Sequence, residues 1–379
     1  MLNELRSKVA IVDCNSYDSD VLTSKINQAL DLLGGLDKYI KPGMKVLLKP
    51  NLISAKEPYR AITTHPVIVA VLNREVRKLG AVPIVGDSPG GAKVGINRVW
   101  EKTGMKAMAE KEGIELVSFE AAGSQKFRCN GRAYYLAQPA VEADLIINLP
   151  KLKTHILTLM TGAVKNVFGL IPGFRKGNYH KEYPKPGDFA EVVVDILSVK
   201  TPALTIMDAV LAMEGDGPSS GEPRWTNLLL ASRDPVAVDA IAAEIIGLDP
   251  DKVPTTRIAS DAGLGIGWPE MIETMGKSLD EVRIPDFKLT SNRKLELMPN
   301  FLVRMIDPFI WLHPDIERDL CTKCGTCVNS CPTGALRFNG DKSPAFDYEL
   351  CINCWCCHEL CPEKAVYIRK SWLAKKFLR

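Results

Sequence analysis

The sequence predicts an α/β protein, with a large domain over residues 1–298 built on a mostly parallel layered sheet flanked by helices. A small α+β module follows over residues 317–370. Three observations carry this. From Lys8 to about Val282, short apolar runs alternate with helical stretches, the pattern of βα units around a parallel sheet. Polar, glycine-containing motifs fall just after several of those runs. Nine of the eleven cysteines lie from Cys321 to Cys361, and eight of them form two copies of one pattern thirty residues apart.

Taken in order, strands are expected at Val46–Lys49, Val82–Gly86, Glu115–Phe119, Asp144–Asn148, Leu204–Met207 and Asn227–Ala231, with Lys8–Val12 as an edge strand. Their β-branched and apolar runs suit a sheet covered on both faces. Helices are expected at Val21–Leu33, Pro66–Lys78, Arg98–Lys111, Phe189–Val199 and Pro235–Ile246. The last is well punctuated, with Asp234 as N-cap, Pro235 in the first helical position and Gly247 just past the end. Lys252–Leu279 reads as helical and loop-rich, and Pro285–Leu297 as extended. Residues 299–316 read as a linker, its apolar stretch Phe301–Leu312 packed between the two modules, and 371–379 as a basic tail.

The polar motifs cluster at expected strand ends. Lys49-Pro50-Asn51, Gly86-Asp87-Ser88-Pro89-Gly90-Gly91 and Pro150-Lys151-Leu152-Lys153-Thr154-His155 each follow a strand. So do Asp208 with Glu214-Gly215-Asp216-Gly217-Pro218, and Arg233-Asp234. Ligands of open α/β sheets bind at the carboxyl ends of strands, so all five motifs are expected on one edge. Lys165-Asn166, after Thr161-Gly162, adds another cation and amide. The set suits a small anionic substrate. Lys151, His155 and Asp87 are the candidate catalytic groups, and Lys49, Asn51, Lys153, Lys165 and Asn166 are the groups that hold the anion or a cofactor. Taken singly, each lysine is a surface lysine by default, the glycine run is a tight turn, and His155 is a packed or capping histidine. His65, before Pro66, starts a helix. No G-x-G-x-x-G order and no Walker A lysine motif occurs, and no ligand spacing supports a metal site at His155, Asp87 and Asp208.

The cysteines name a cofactor. Cys321-x2-Cys324-x2-Cys327-x3-Cys331 is followed by Pro332, and Cys351-x2-Cys354-x2-Cys357-x3-Cys361 by Pro362. This is the bacterial two-cluster ferredoxin run, whose fourth cysteine ligates the other copy's cluster. Cys321, Cys324, Cys327 and Cys361 are expected to hold one [4Fe–4S] cube, and Cys351, Cys354, Cys357 and Cys331 the other. Structural zinc also uses paired C-x2-C, but has no use for a third and fourth cysteine at these spacings before proline. The apolar residues after each Cys-Pro are read as two strands that pair with each other. Cys356 is an extra thiol beside Cys357: a small packing residue, an alternate ligand, or a redox-active thiol. His358 is a hydrogen-bonding or surface residue, and Cys14 and Cys129 lie outside the pattern.

Composition bounds the rest. The 379 residues are 46% hydrophobic and 25% charged with net charge +3, which gives no strong attraction to nucleic acid or membrane. The N-terminus lacks the pattern of a secretory signal, and no uncharged apolar run approaches the eighteen or so residues of a membrane span. A cytoplasmic, reducing compartment is expected.

Lys49-Pro50-Asn51, Gly86-Asp87-Ser88-Pro89-Gly90, Leu149-Pro150-Lys151-x-Lys153-Thr154-His155, Thr161-Gly162-x3-Asn166-x2-Gly169 and Asp234-Pro235-x3-Asp239-Ala240 resemble the domain-of-unknown-function family numbered 362. The resemblance covers roughly Lys45–Leu248 plus Cys321–Cys361. It implies the architecture and the iron–sulfur cofactors, many members ending in a two-cluster ferredoxin module, and it implies no substrate. The expected function is an iron–sulfur oxidoreductase that exchanges electrons between a soluble ferredoxin or flavoprotein and a ligand at the strand ends. A flavin or other small cofactor there has no motif of its own. The alternatives are an electron carrier or adaptor that docks a partner enzyme, and a non-redox enzyme with structural or sensing clusters.

Overall fold

The computed structural model describes residues 7–90, 95–156, 158–173, 175–183, 185–290, 312–340 and 342–372. Sixteen strands occur among them. In the large domain they are β1 (Ser7–Asp13), β2 (Lys45–Pro50), β3 (Val82–Asp87), β4 (Glu115–Ser118), β5 (Ser124–Cys129), β6 (Arg132–Ala137), β7 (Leu145–Leu149), β8 (Lys151–His155), β9 (Leu159–Thr161), β10 (Leu204–Glu214), β11 (Glu222–Ser232) and β12 (Ile272–Gly276). Those of the small module are β13 (Leu312–Ile316), β14 (Leu336–Phe338), β15 (Pro344–Phe346) and β16 (Val366–Lys370).

The main sheet runs β12-β1-β11-β10-β7-β2-β3-β4, with β8 paired to β10 and β9 paired to β8. Neighbours are parallel from β10 to β4 and between β1 and β12, while β11 lies antiparallel to both β1 and β10. Alternation along each strand sends side chains to two cores. Ala10, Val12, Val46, Leu48 and Ile206 pack with helices Ser19–Leu32 and Pro66–Lys78. On the other face Val9, Ile11 and Met207 pack with helix Pro235–Ile245, and Leu47, Ile84 and Ile146 with helix Pro186–Val199. The result is helix, sheet, helix, the three-layer α/β arrangement the sequence predicts.

Several elements differ from expectation. Lys8–Val12 is interior rather than an edge, because β12 adds outside it within the stretch read as helix and loop. The expected helix Arg98–Lys111 is two helices, Ile96–Lys102 and Met105–Glu112, divided where Gly104 takes φ 74°. Lys151–His155 is a strand rather than a loop, and β10 runs through Asp208 to Glu214. Because β11 is antiparallel to β10, Ser232 pairs with Thr205 at the start of β10. Arg233-Asp234 is therefore at the opposite sheet edge from Lys49 and Asp87, where Asp234 caps helix Pro235–Ile245 and accepts from Ser7 Oγ and Ile266 N.

In the small module, β14 pairs with β15 and β16 with β13, so the two strands after the Cys-Pro steps pair with separate partners. β13 also turns Leu312–Ile316, expected as the end of a linker, into part of the module. The thirty-residue repeat recurs in the backbone: Lys323 and Asn353, Gly325 and Trp355, and Gly334 and Lys364 all have positive φ. These left-handed residues shape the two cysteine loops alike, and Cys327, Leu336, Cys357 and Val366 share one small core. Gly91, Ser291–Leu297, the linker over 299–311 and the tail over 373–379 lie outside the described residues. Among the described residues no helix is long and apolar enough to cross a membrane.

Candidate functional site

β8 sits between β10 and β9, and all five of its residues are buried. Its period of two puts Lys151, Lys153 and His155 on one side in a row, with Leu152 in the core on the other. Each member of the row meets a different environment. Lys151 Nζ donates to Asp208 Oδ2 at 2.8 Å and to Tyr17 Oη at 2.9 Å, while Tyr17 donates to Asp208 Oδ1 at 2.7 Å. Burial pushes the Lys151 pKa down, and Asp208 opposes that shift. Lys153 Nζ donates to Asn51 Oδ1 at 2.9 Å and to the Ile62 carbonyl at 2.7 Å. With burial and the charge of Lys165 both acting on it, Lys153 falls well below the usual lysine range. His155 Nδ1 accepts from Thr158 N at 3.2 Å, which leaves the neutral ring's proton on Nε2, 3.1 Å from Glu359 Oε1. Burial takes the His155 pKa to about 4.

A second buried pair lies beside the row. Lys49 Nζ donates to Asp87 Oδ1 at 2.8 Å, and Asp87 Oδ2 accepts from Leu52 N at 2.8 Å. A Cβ on Gly169 would fall on Asp87 Oδ1 and 2.6 Å from Lys49 Nζ, so this glycine is what lets the backbone pass the pair. Amides then form a chain. Asn51 Nδ2 donates to Asn166 Oδ1 at 3.0 Å, Asn166 Nδ2 to Asn148 Oδ1 at 2.8 Å, and Asn148 Nδ2 to the Ala163 carbonyl at 3.0 Å. The short helix Ala163–Asn166 is fixed from below by Asp239, which accepts from Ala163 N at 2.5 Å and Val164 N at 2.9 Å. Burial raises Asp239 to about 7 against those two donors. The Gly162 and Asp239 motif residues thus aim Lys165 and Asn166.

These groups border a cavity of about 250 Å³ between the large domain and the small module. Asn51, Asp87, Lys165 and Asn166 line it, together with Ser88, Phe168, Lys176 and His180 from the large domain and Cys331, Cys356, Glu359 and Leu360 from the module. Lys49, Lys151, Lys153 and His155 do not line it. They stand one layer behind, wholly buried, so Lys151 and His155, expected as catalytic groups, and Lys49 and Lys153, expected to hold the anion, are placed in a buried layer behind the cavity wall, and the surface-lysine alternative fails for all three lysines. Asp208 and Glu214 also lie off the cavity: Asp208 is committed to Lys151 and Tyr17, and Glu214 accepts from Lys288 N. Each carboxylate of the conceived His155, Asp87 and Asp208 metal site is likewise occupied by a lysine.

Sequence reasoning missed Lys176, His180 and Glu359. Lys176 and His180 are in the polar helix Arg175–Glu182, which has no motif, and Glu359 stands among the cysteines. His180 stacks on Phe189 at 4.2 Å, and burial takes its pKa to about 4. Glycines set the join between the two parts. Gly90 has no room for a Cβ against Leu360, and Gly177 faces Pro332.

In the module, Cys321, Cys324, Cys327 and Cys361 line one void, and Cys331, Cys351, Cys354 and Cys357 line another together with Cys356. Among the described residues no three His, Cys, Asp or Glu side chains converge on a single-ion position. Four thiols around a void fit a multi-iron cluster, and Ala365 N donates to Cys361 Sγ at 3.2 Å, as thiolate ligands require.

The family described as "Domain of unknown function (DUF362)" matches residues 46–244, and "4Fe-4S binding domain" matches residues 314–337. The chain is 36% identical over 257 residues to "Thylakoid-associated protein sll1697" of Synechocystis sp. (strain ATCC 27184 / PCC 6803 / Kazusa), an alignment covering 68% of this chain and 79% of that one. Among solved structures it is similar to the lactate racemase apoprotein from Thermoanaerobacterium thermosaccharolyticum, at 12% identity and a TM-score of 0.39. That alignment covers 61% of this chain and 55% of the other, so the chain spans about half the length of that structure. With the family matched across more than half of its length and an iron–sulfur domain behind it, the chain belongs to the DUF362 family and carries a C-terminal 4Fe-4S ferredoxin-type domain.

Proposed function

We propose that the protein is an iron–sulfur oxidoreductase whose ligand occupies the cavity between the large domain and the module. Cys321, Cys324, Cys327 and Cys361 would hold one [4Fe–4S] cluster, and Cys331, Cys351, Cys354 and Cys357 a second. Such clusters supply one-electron transfer when bound. The observation that carries the reading is Cys331, which lines both the second cysteine void and the cavity. Cys356 does the same. A cavity sharing a wall with a redox centre has donor and acceptor in fixed proximity.

The chain's own groups prepare the cavity. Lys49 neutralises Asp87, and the amide chain from Asn51 to Asn148 holds Asn166 and, through the Asp239 cap, Lys165. His155 links the back of the site to Glu359. The external partner in this reading is a soluble ferredoxin or flavoprotein, in the cytoplasm.

Native mass spectrometry of anaerobically purified protein tests the reading by finding a retained small molecule. Adding that molecule to dithionite-reduced protein should restore the oxidised cluster spectrum. A reduced spectrum left unchanged by a ligand that binds would assign the protein to carrying electrons for a partner enzyme.

A further inference from the structure

Two lysines reach the cavity without a hydrogen-bonded carboxylate. Lys165 lines it, and among the described residues its Nζ has no hydrogen-bond or ion-pair partner. Lys176 Nζ is held by the carbonyl oxygens of Ser88 and Pro89. Asp87 is matched by Lys49, and Glu359 lies against His155 while its charge also acts on Lys165 without a hydrogen bond to it. An ammonium on a cavity wall with no hydrogen-bond acceptor of its own is open to one from a ligand, so Lys165 is the group placed to take an oxygen there. Beside it, Ile53, Phe168 and Leu360 give the cavity an apolar wall.

We propose that the cavity binds a small organic acid, one carboxylate on an apolar body about the size of a single ring, with Lys165 anchoring the carboxylate. This rests on the cavity being the ligand site described above. Size supports it. At about 250 Å³ the cavity exceeds the ~150 Å³ void that accepts benzene, yet falls below the roughly 300–1,000 Å³ typical of drug-sized ligands. One substituted ring fills it; a flavin with its fused rings and phosphate chain would extend out of it. Charge limits the anion as well. Glu359 forms part of the wall and already offsets part of the Lys165 charge, so a second negative charge on the ligand meets repulsion that low-dielectric surroundings strengthen. A phosphate dianion is disfavoured on that ground, and a carboxylate is not.

The test is isothermal titration calorimetry on the full, anaerobically reconstituted chain with benzoate, its neutral isostere benzamide, phenyl phosphate and flavin mononucleotide. Benzoate should bind at least ~10-fold more tightly than benzamide, because a hydrogen bond to a charged group contributes about 1.5–3 kcal/mol. Lys165→Met should weaken benzoate by a similar factor and leave benzamide unaffected, with iron content and circular dichroism unchanged. If that variant fails to fold, the wild-type ratio of benzoate to benzamide decides alone. The assignment is overturned if benzoate does not bind, if benzamide matches it, or if phenyl phosphate or the flavin binds more tightly. The redox reading is scored separately, by the electron paramagnetic resonance spectrum of dithionite-reduced protein. A retained native ligand that binds and leaves that spectrum unchanged counts against the redox role and leaves the carboxylate site standing, because benzoate and benzamide accept no electrons.

Discussion

His155 Nε2 lies 3.1 Å from Glu359 Oε1, which ties the last residue of β8 in the large domain to the helix between Cys357 and Cys361. Both side chains are buried, so this contact fixes the module's position over the cavity. Removing it should loosen the module. Glu359→Ala is expected to destabilise the protein by about 1–3 kcal/mol, the range for removing one partner of a buried polar contact. Glu359→Gln, which keeps the shape and an acceptor oxygen, should lose less. Denaturant unfolding compares the two, and hydrogen exchange should place the added opening at the join between the parts.

Iron content separates the cysteines. Anaerobically reconstituted protein should hold about eight irons and eight acid-labile sulfides per chain. Cys324→Ala should remove about half of them, and so should Cys357→Ser. Cys356→Ser should keep all eight, because Cys356 stands outside the two-two-three spacing although it lines both the second void and the cavity. Cys14→Ala and Cys129→Ala should change nothing, their thiols lying against Ser16 and Ser198. Saturation at four irons, or consistent zinc, would remove the two-cluster assignment.

Lys151 is expected to act on stability rather than on ligand binding. Lys151→Met leaves Asp208 buried without its cation and should cost about 3–5 kcal/mol, measured by chemical denaturation. Gly169→Ala should also destabilise, because its Cβ would displace the Lys49–Asp87 pair. Gly187→Ala is the control. No atom lies within 4 Å of a Cβ there, and in helix Pro186–Val199 the change should be neutral or stabilising by up to ~1 kcal/mol.

His65 should give the fold a pH dependence. It caps helix Pro66–Lys78 through Nδ1, stacks on Tyr17 at 3.8 Å, and burial lowers its pKa from 6.5 to about 4. Between those values the unfolded chain holds a proton that the folded chain lacks. The stability contribution is therefore complete above pH 6.5 and is lost as pH falls toward 4, by at most ~3 kcal/mol. His65→Asn keeps a capping side chain and removes the titration. Its unfolding free energy should change less steeply with pH over that window, and an unaltered slope would show that His65 is not the group responsible.

The two cysteine loops were legible because their spacing is local. Two, two and three intervening residues define a loop whatever lies around it, and the left-handed pairs thirty residues apart follow from the same repeat. Helix Pro66–Lys78 was legible to the residue for a similar reason, since Pro66 and the apolar stripe mark it from within. Strand direction and depth are non-local. Nothing near Arg233-Asp234 reveals that β11 runs against β10 and carries that motif to the far edge. Nor does Lys151-Leu152-Lys153 announce a buried strand, because lysines enter a core only when Asp208, Asn51 or a carbonyl from a distant segment meets them there. The cavity itself is decided by packing: Lys165 and Lys176 come from one part of the chain and Cys331 and Glu359 from another, and only the docking of the module over the sheet edge makes them neighbours.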